Sequence, residues 1–170
     1  QLFDLLADLP DLLSEFAALE GRKRYLVLGQ SPAELRPLGG FTSGVWFLEF
    51  ENGVLTKREY RSVLKFGESE ALTSLPNPPL PLVRYMSAGA WYLRDVGWSP
   101  DFPTVAKLVL QMNQIAGNGD VDGVIAVNQR TFTHLVAALG GIEIDEASVS
   151  PMDVDQLLEE RTDTEGTEFL

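Results

Sequence analysis

The chain has 170 residues, 45% of them hydrophobic, with a net charge of −12 and no cysteine. That suits one domain able to bury a core without staples. It excludes thiol catalysis, thiolate metal sites and disulfides. Residues 145–170 carry nine acidic side chains against Arg161 alone, leaving −4 for residues 1–144. No Lys/Arg-rich stripe interleaves with aromatics, so nucleic acid is not an expected partner.

In chain order, Leu2, Leu5, Leu6, Leu9, Leu12, Leu13, Phe16 and Leu19 recur at helical spacing and give residues 1–22 an amphipathic helical character, interrupted at Pro10. The chain opens inside this pattern and reads as a piece of a longer protein. Residues 25–29 (YLVLG) have the length and content of a buried strand. The loop after them, QSPAELRPL followed by Gly39-Gly40, offers an amide (Gln30), a carboxylate (Glu34) and a guanidinium (Arg36). Loops at strand ends are where α/β proteins keep ligand chemistry, and an arginine held there can clamp an oxyanion. Alternatively, Arg36 pairs with Glu34 or caps a carbonyl and the glycines only turn the chain.

Residues 45–51 and 54–64 flank Asn52-Gly53, a signature of a type I′ hairpin. Residues 66–81 hold four prolines and read as a long exposed loop. Residues 91–95 (WYLRD) read as a short strand ending in Arg94-Asp95, and Arg58, Arg61 and Arg84 read as strand-surface residues. A turn then leads to a helix with Val105, Leu108, Val109, Met112 and Ile115 inside and Asp101 or Thr104 as N-cap. A strand over 121–127, Asn128 as N-cap, a helix burying Phe132, Leu135, Val136 and Leu139, and a strand over 142–144 complete a core over 23–146. Residues 147–170 read as a last helix, opened by Ser150-Pro151 with Asp153 in capping-box position, and an acidic tail. His134 reads as a surface residue of its helix. The fold class is α/β, a mixed central sheet flanked by helices on both faces.

Three groups carry candidate chemistry: Arg36 with Arg94 as an anion clamp; Asp95 and Asp101, with Glu34 behind them, as oxygen donors of the kind Mg²⁺ takes; and Trp91, Trp98 and Phe102 as an apolar groove. Asp101 is equally a natural helix cap, Asp95 a salt-bridge partner, and the tryptophans ordinary core.

The segments ELRPLGGF, WYLRDVGWSPDFPTVAKL and VDGVIAVNQRTFTHLVAALGGIEI together resemble an uncharacterised bacterial cell-surface family with motifs ELRPxGGF, LRDxxWSPDFPxxA and DGVIAVD. The sequence departs from it at Asn128 and Leu38. More distantly, that family is similar to the LytR-CpsA-Psr glycopolymer transferases, through residues 28–36, Arg94-Asp95 and the closing unit 124–144. The resemblance implies a LytR-CpsA-Psr-like fold and an extracytoplasmic, cell-surface phosphotransferase-like domain, membrane-anchored in the full-length protein, acting on polyprenyl-pyrophosphate-linked envelope glycopolymer. It implies Arg94 and Asp95 as catalytic residues, Arg36, Gln30, Glu34 and Trp98 as ligand-binding, and Asp95 and Asp101 as Mg²⁺ ligands. The transferases carry an aspartate where this chain has Gln30, and an amide cannot supply the same charge to a metal. A non-catalytic module binding polyprenyl phosphate or envelope glycan is therefore the alternative, and a purely structural surface domain a third.

Overall fold

The computed structural model describes Pro10, residues 14–63, Phe66, residues 75–144 and 147–154, and Gln156. Much of the leading amphipathic segment and nearly all of the last helix and acidic tail lie outside these residues.

A four-stranded mixed sheet organises the domain. Strands β1 (Arg22–Ser31), β2 (Phe41–Glu51) and β3 (Val54–Ser62) form an antiparallel meander, and β4 (Gly123–Asn128) pairs in parallel with β1, giving the order β3-β2-β1-β4. The β2–β3 turn falls at Asn52 (φ 49) and Gly53 (φ 79), the two left-handed positions that a type I′ turn demands. β1 exceeds the expected strand at both ends because its two neighbours pair it from Arg22 to Ser31.

Alternation along the strands puts Leu26, Leu28, Val45 and Phe47 on one face, all buried. Helix α2 (Phe102–Ile115) covers that face with Val105, Val109 and Met112 buried, and Leu108 and Ile115 half-buried around them. On the other face Phe16 stacks on Tyr25 with ring centroids 5.0 Å apart, and Phe50 meets Tyr25 edge-on at 6.2 Å.

Three expectations are corrected. Residues 91–95 are not a strand; Leu93–Trp98 forms a 3-10 helix, with the Asp95 N–H bonded to the Tyr92 carbonyl at 3.0 Å. β1 is paired on one side by β2 and on the other by β4. Leu80–Met86 forms a short helix, α1, so Arg84 is helical and the proline-rich stretch ends before residue 81. Pro81 fits because the first turn of a helix needs no N–H there. In α3 (Gln129–Leu139) only Val136 is fully buried, while Phe132, Leu135 and Leu139 are exposed. Val136 packs with Val149 and Val154 against the small hairpin β5 (Ile142–Ile144) and β6 (Ala147–Val149).

Candidate functional site

The carboxyl ends of the parallel strands β1 and β4 meet at Gln30 opposite Asn128. Asn128 closes a reciprocal cap with Thr131 at the start of α3. Gln30 lies on the same side of β1 as Leu28 and is buried, and its Nε2 has no hydrogen-bond partner among the described residues. Thr42, opposite Gln30 on β2, is also buried, with its hydroxyl unpartnered.

From Ser31 the chain passes over the 3-10 helix and returns into β2. The Leu38 N–H bonds to the Gly97 carbonyl at 3.1 Å, and the Phe41 N–H bonds back to the Glu34 carbonyl at 3.0 Å. The two segments are in close contact at Gly97. A β-carbon there would stand 3.5 Å from those of Arg36 and Leu38 and 3.3 Å from the Gly40 carbonyl oxygen.

This contact seats Arg36 beside Asp95. Arg36 Nη2 lies 3.5 Å from Asp95 Oδ1, and the two side chains are only 10% and 6% exposed. Nη1 of Arg36 donates to the Leu35 carbonyl at 2.9 Å, and its guanidinium lies 5.4 Å from the Phe41 ring centre. Its Nε has no partner among the described residues. Asp95 Oδ2 faces Arg94 Nε at 3.6 Å. The Arg94 side chain is 39% exposed and stacks over Tyr92 at 4.5 Å, leaving its terminal nitrogens the most accessible donors of the group.

Arg36, Arg94 and Asp95 therefore share one location. Two arginines flank one carboxylate, for a formal charge of +1 in a strongly acidic chain. Among the described residues, Gln30 Nε2, Arg36 Nε and the Trp91 indole N–H lack acceptors, and the Thr42 hydroxyl lacks a partner. Buried donors without acceptors are costly in a folded chain, and they favour an oxygen-rich anion.

Glu34 is exposed and only its carbonyl takes part, while Trp98 is half-buried at the end of the 3-10 helix. Asp101 caps α2. Its Oδ2 accepts the Thr104 N–H at 3.0 Å and the Thr104 hydroxyl at 2.5 Å, bonds that hold its carboxyl below the usual carboxylate range. The fit to Mg²⁺ is poor as arranged. Each Asp95 oxygen faces a guanidinium, one Asp101 oxygen is committed to the cap, and two cations beside Asp95 oppose a third.

A family model described as a protein of unknown function, DUF4012, matches residues 20–162. The chain belongs to the DUF4012 family. No curated protein and no solved structure matches it. The DUF4012 match encloses Gln30, Arg36, Arg94, Asp95 and Asp101, so the cluster belongs to the family domain itself. One buried polar group beside Gln30, Thr42, was not among the residues singled out from the sequence. Thr42 had a readable cue, a polar residue opening a strand that is otherwise rich in buried apolar side chains. Trp91 was singled out only for its apolar surface, and its indole N–H has no partner among the described residues.

Proposed function

We propose that this domain binds the pyrophosphate of a polyprenyl-linked envelope glycopolymer through Arg94, with Arg36 and Gln30 behind it. The observation that supports the reading is a buried carboxylate flanked by two guanidinium groups, one of which keeps its Nε without an acceptor among the described residues. Such a set has more N–H groups than acceptors, and a phosphate supplies the missing oxygens. Asp95 fixes both arginines and limits the charge to a level a partly buried site tolerates. The glycopolymer carrier and the extracytoplasmic, cell-surface setting come from the resemblance to the LytR-CpsA-Psr group, as does the finer likeness in fold.

A second reading makes the same site a phosphotransferase. It is favoured by the adjacency of Arg94, half in solvent, and Asp95, buried against it, since an arginine that neutralises developing phosphoryl charge beside a carboxylate is a transfer arrangement. Gln30 in place of a carboxylate weighs towards binding alone.

Titration calorimetry with polyprenyl pyrophosphate in detergent micelles tests both. The wild-type chain should bind, and Arg94→Ala should weaken binding at least tenfold with the fold intact, since Arg94 is partly exposed. Absence of wild-type binding would end the anion-site reading. Asp95→Asn should keep binding in a pure binder. In a transferase the same variant should abolish transfer of glycopolymer to peptidoglycan.

A further inference from the structure

The loop between α2 and β4, residues 116–122, contains an Asn-Gly pair, Asn118-Gly119. Its start is fixed by the end of α2, where the Gly117 N–H bonds to the Gln114 carbonyl at 3.0 Å and the Asn118 N–H to the Asn113 carbonyl at 3.3 Å. Two arginines then close on the two carbonyl oxygens of Asn118. Arg24, on β1, donates from Nη1 to the backbone oxygen at 2.8 Å. Arg61, on β3, donates from Nη1 to the side-chain Oδ1. Both guanidinium groups stand against the Phe47 ring, 4.6 and 5.0 Å from its centre, and Glu59 holds Arg61 at 2.6 Å. The arginines are therefore fixed in place by the sheet and not by the loop they contact.

An asparagine followed by glycine can react with its own backbone, the next peptide nitrogen attacking the side-chain amide carbon. Each arginine assists one half of that reaction. The oxygen that Arg24 holds belongs to the same peptide unit as the Gly119 nitrogen, so a cation there stabilises the anion formed when that nitrogen gives up its proton. The oxygen that Arg61 holds is the one that turns into an oxyanion as Cγ is attacked. The Gly119 N–H finds no acceptor among the described residues, and a β-carbon at Gly119 would stand 2.9 Å from Arg24 Nη1. Asn118 Nδ2 is buried and has no partner among the described residues, so reaction removes a costly orphan donor. The chain's other Asn-Gly pair is arranged differently. At the β2–β3 turn the Gly53 N–H is committed to the Ala18 carbonyl at 2.9 Å, and Asn52 Oδ1 accepts from the neutral Gly21 N–H at 3.3 Å.

We propose that Asn118 is a self-modification site, at which the folded chain cyclises and then hydrolyses its own side-chain amide. The Gly119 nitrogen forms a bond to Asn118 Cγ, the Cγ–Nδ2 bond breaks, and the proton lost from the Gly119 nitrogen leaves with Nδ2 as ammonia. Water then opens the cyclic imide, at Cγ to give aspartate or at the backbone carbonyl to give isoaspartate. Arg61 is the catalytic residue on the oxyanion and Arg24 the one on the nucleophile's peptide. An aspartate at this position gives Arg61 a second carboxylate beside Glu59, whereas isoaspartate lengthens the backbone that leads into β4. The site shares no residue with the cluster of Arg36, Arg94 and Asp95 and stands apart from the pyrophosphate reading.

The test is peptide mapping by mass spectrometry of the 170-residue chain kept in mildly alkaline buffer, folded and in urea, reading amide-to-acid exchange and isoaspartate at both Asn-Gly pairs. In urea the two pairs should convert at similar rates, because local sequence alone acts there. In the folded chain Asn118 should convert at least about tenfold faster than Asn52, a modest share of what one oxyanion donor contributes elsewhere. It should also convert faster than it does in urea. Arg61→Gln removes the cation and keeps an amide donor. That variant, shown to be folded by circular dichroism, should slow Asn118 at least about tenfold and leave Asn52 unchanged. Equal rates at the two pairs in the folded wild type, or slower conversion of Asn118 folded than in urea, overturn the proposal without any variant. So does a folded Arg61→Gln chain that converts Asn118 as fast as the wild type.

Discussion

Asp95 is 4% exposed and answers to Arg36 on one oxygen and Arg94 on the other. Removing its carboxylate strands a nearly buried guanidinium, whereas removing Arg94 leaves Asp95 its inner partner. Asp95→Ala should therefore cost about 3 kcal/mol in urea unfolding, the low end for breaking a buried pair because the contacts are long. Arg94→Ala should stay within about 1 kcal/mol, as partly exposed pairs do. A loss of similar size in both variants would show that the pair with Arg36 is not the structural one. This difference makes Asp95→Asn the cleaner probe of function. Gln30, Arg36, Arg94 and Asp95 were legible as candidates because each sits in or beside a loop rich in Pro or Gly. That Arg36 and Arg94 would act together was an expectation from the sequence, but the ion pair of Arg36 with Asp95 was not legible, since the two are 59 positions apart and meet where the loop crosses Gly97.

Helices and turns show which local signals hold without tertiary help. Asn52-Gly53 made its hairpin and Asn128 its cap, each through chemistry contained within a few residues. Asp101 does the same for α2, with a consequence for acid stability. Its hydrogen bonds to the Thr104 side chain and backbone depress its folded-state pKa. A depressed carboxyl contributes stability that is present above its unfolded value, near 3.9, and lost as pH falls through the folded one. Asp101→Asn keeps a capping oxygen but cannot titrate. The difference between wild type and variant in urea midpoints should therefore hold steady above about pH 5 and shrink as pH drops below 4. A difference that ignores pH would remove the carboxylate from the cap. Misreadings had equally local causes. Trp91, Tyr92 and Leu93 have strand-favouring bulk, yet the chain turns into a 3-10 helix from Leu93, with the Asp95 N–H bonded to the Tyr92 carbonyl. Four prolines masked α1 because proline breaks helices everywhere except at their start. The exposed side of α3 looked like core by periodicity, but its helix is covered only along Val136.

At the scale of the whole molecule, the sheet order is the part that sequence periodicity could not supply. β1 and β2 are joined by a short loop and β2 and β3 by two residues, so their pairing is nearly dictated. β4 reaches β1 across some 90 intervening residues, and nothing local in Gly123–Asn128 names its neighbour. That parallel pair also has a consequence in time. Contacts separated so widely in sequence form late, because chain closure must be met before they reward it. Val45→Ala, inside the meander, should slow refolding in stopped-flow measurements. Ile125→Val, on β4, should chiefly speed unfolding. The reverse pattern would put β1–β4 pairing in the nucleus. On a ribosome adding about 5–20 residues per second, β1 would wait on the order of 5–20 s for β4 to be made. For that interval the Leu26–Leu28 edge is an unpaired apolar strand, the part of the nascent chain most exposed to mispairing and the natural place for a chaperone to hold it.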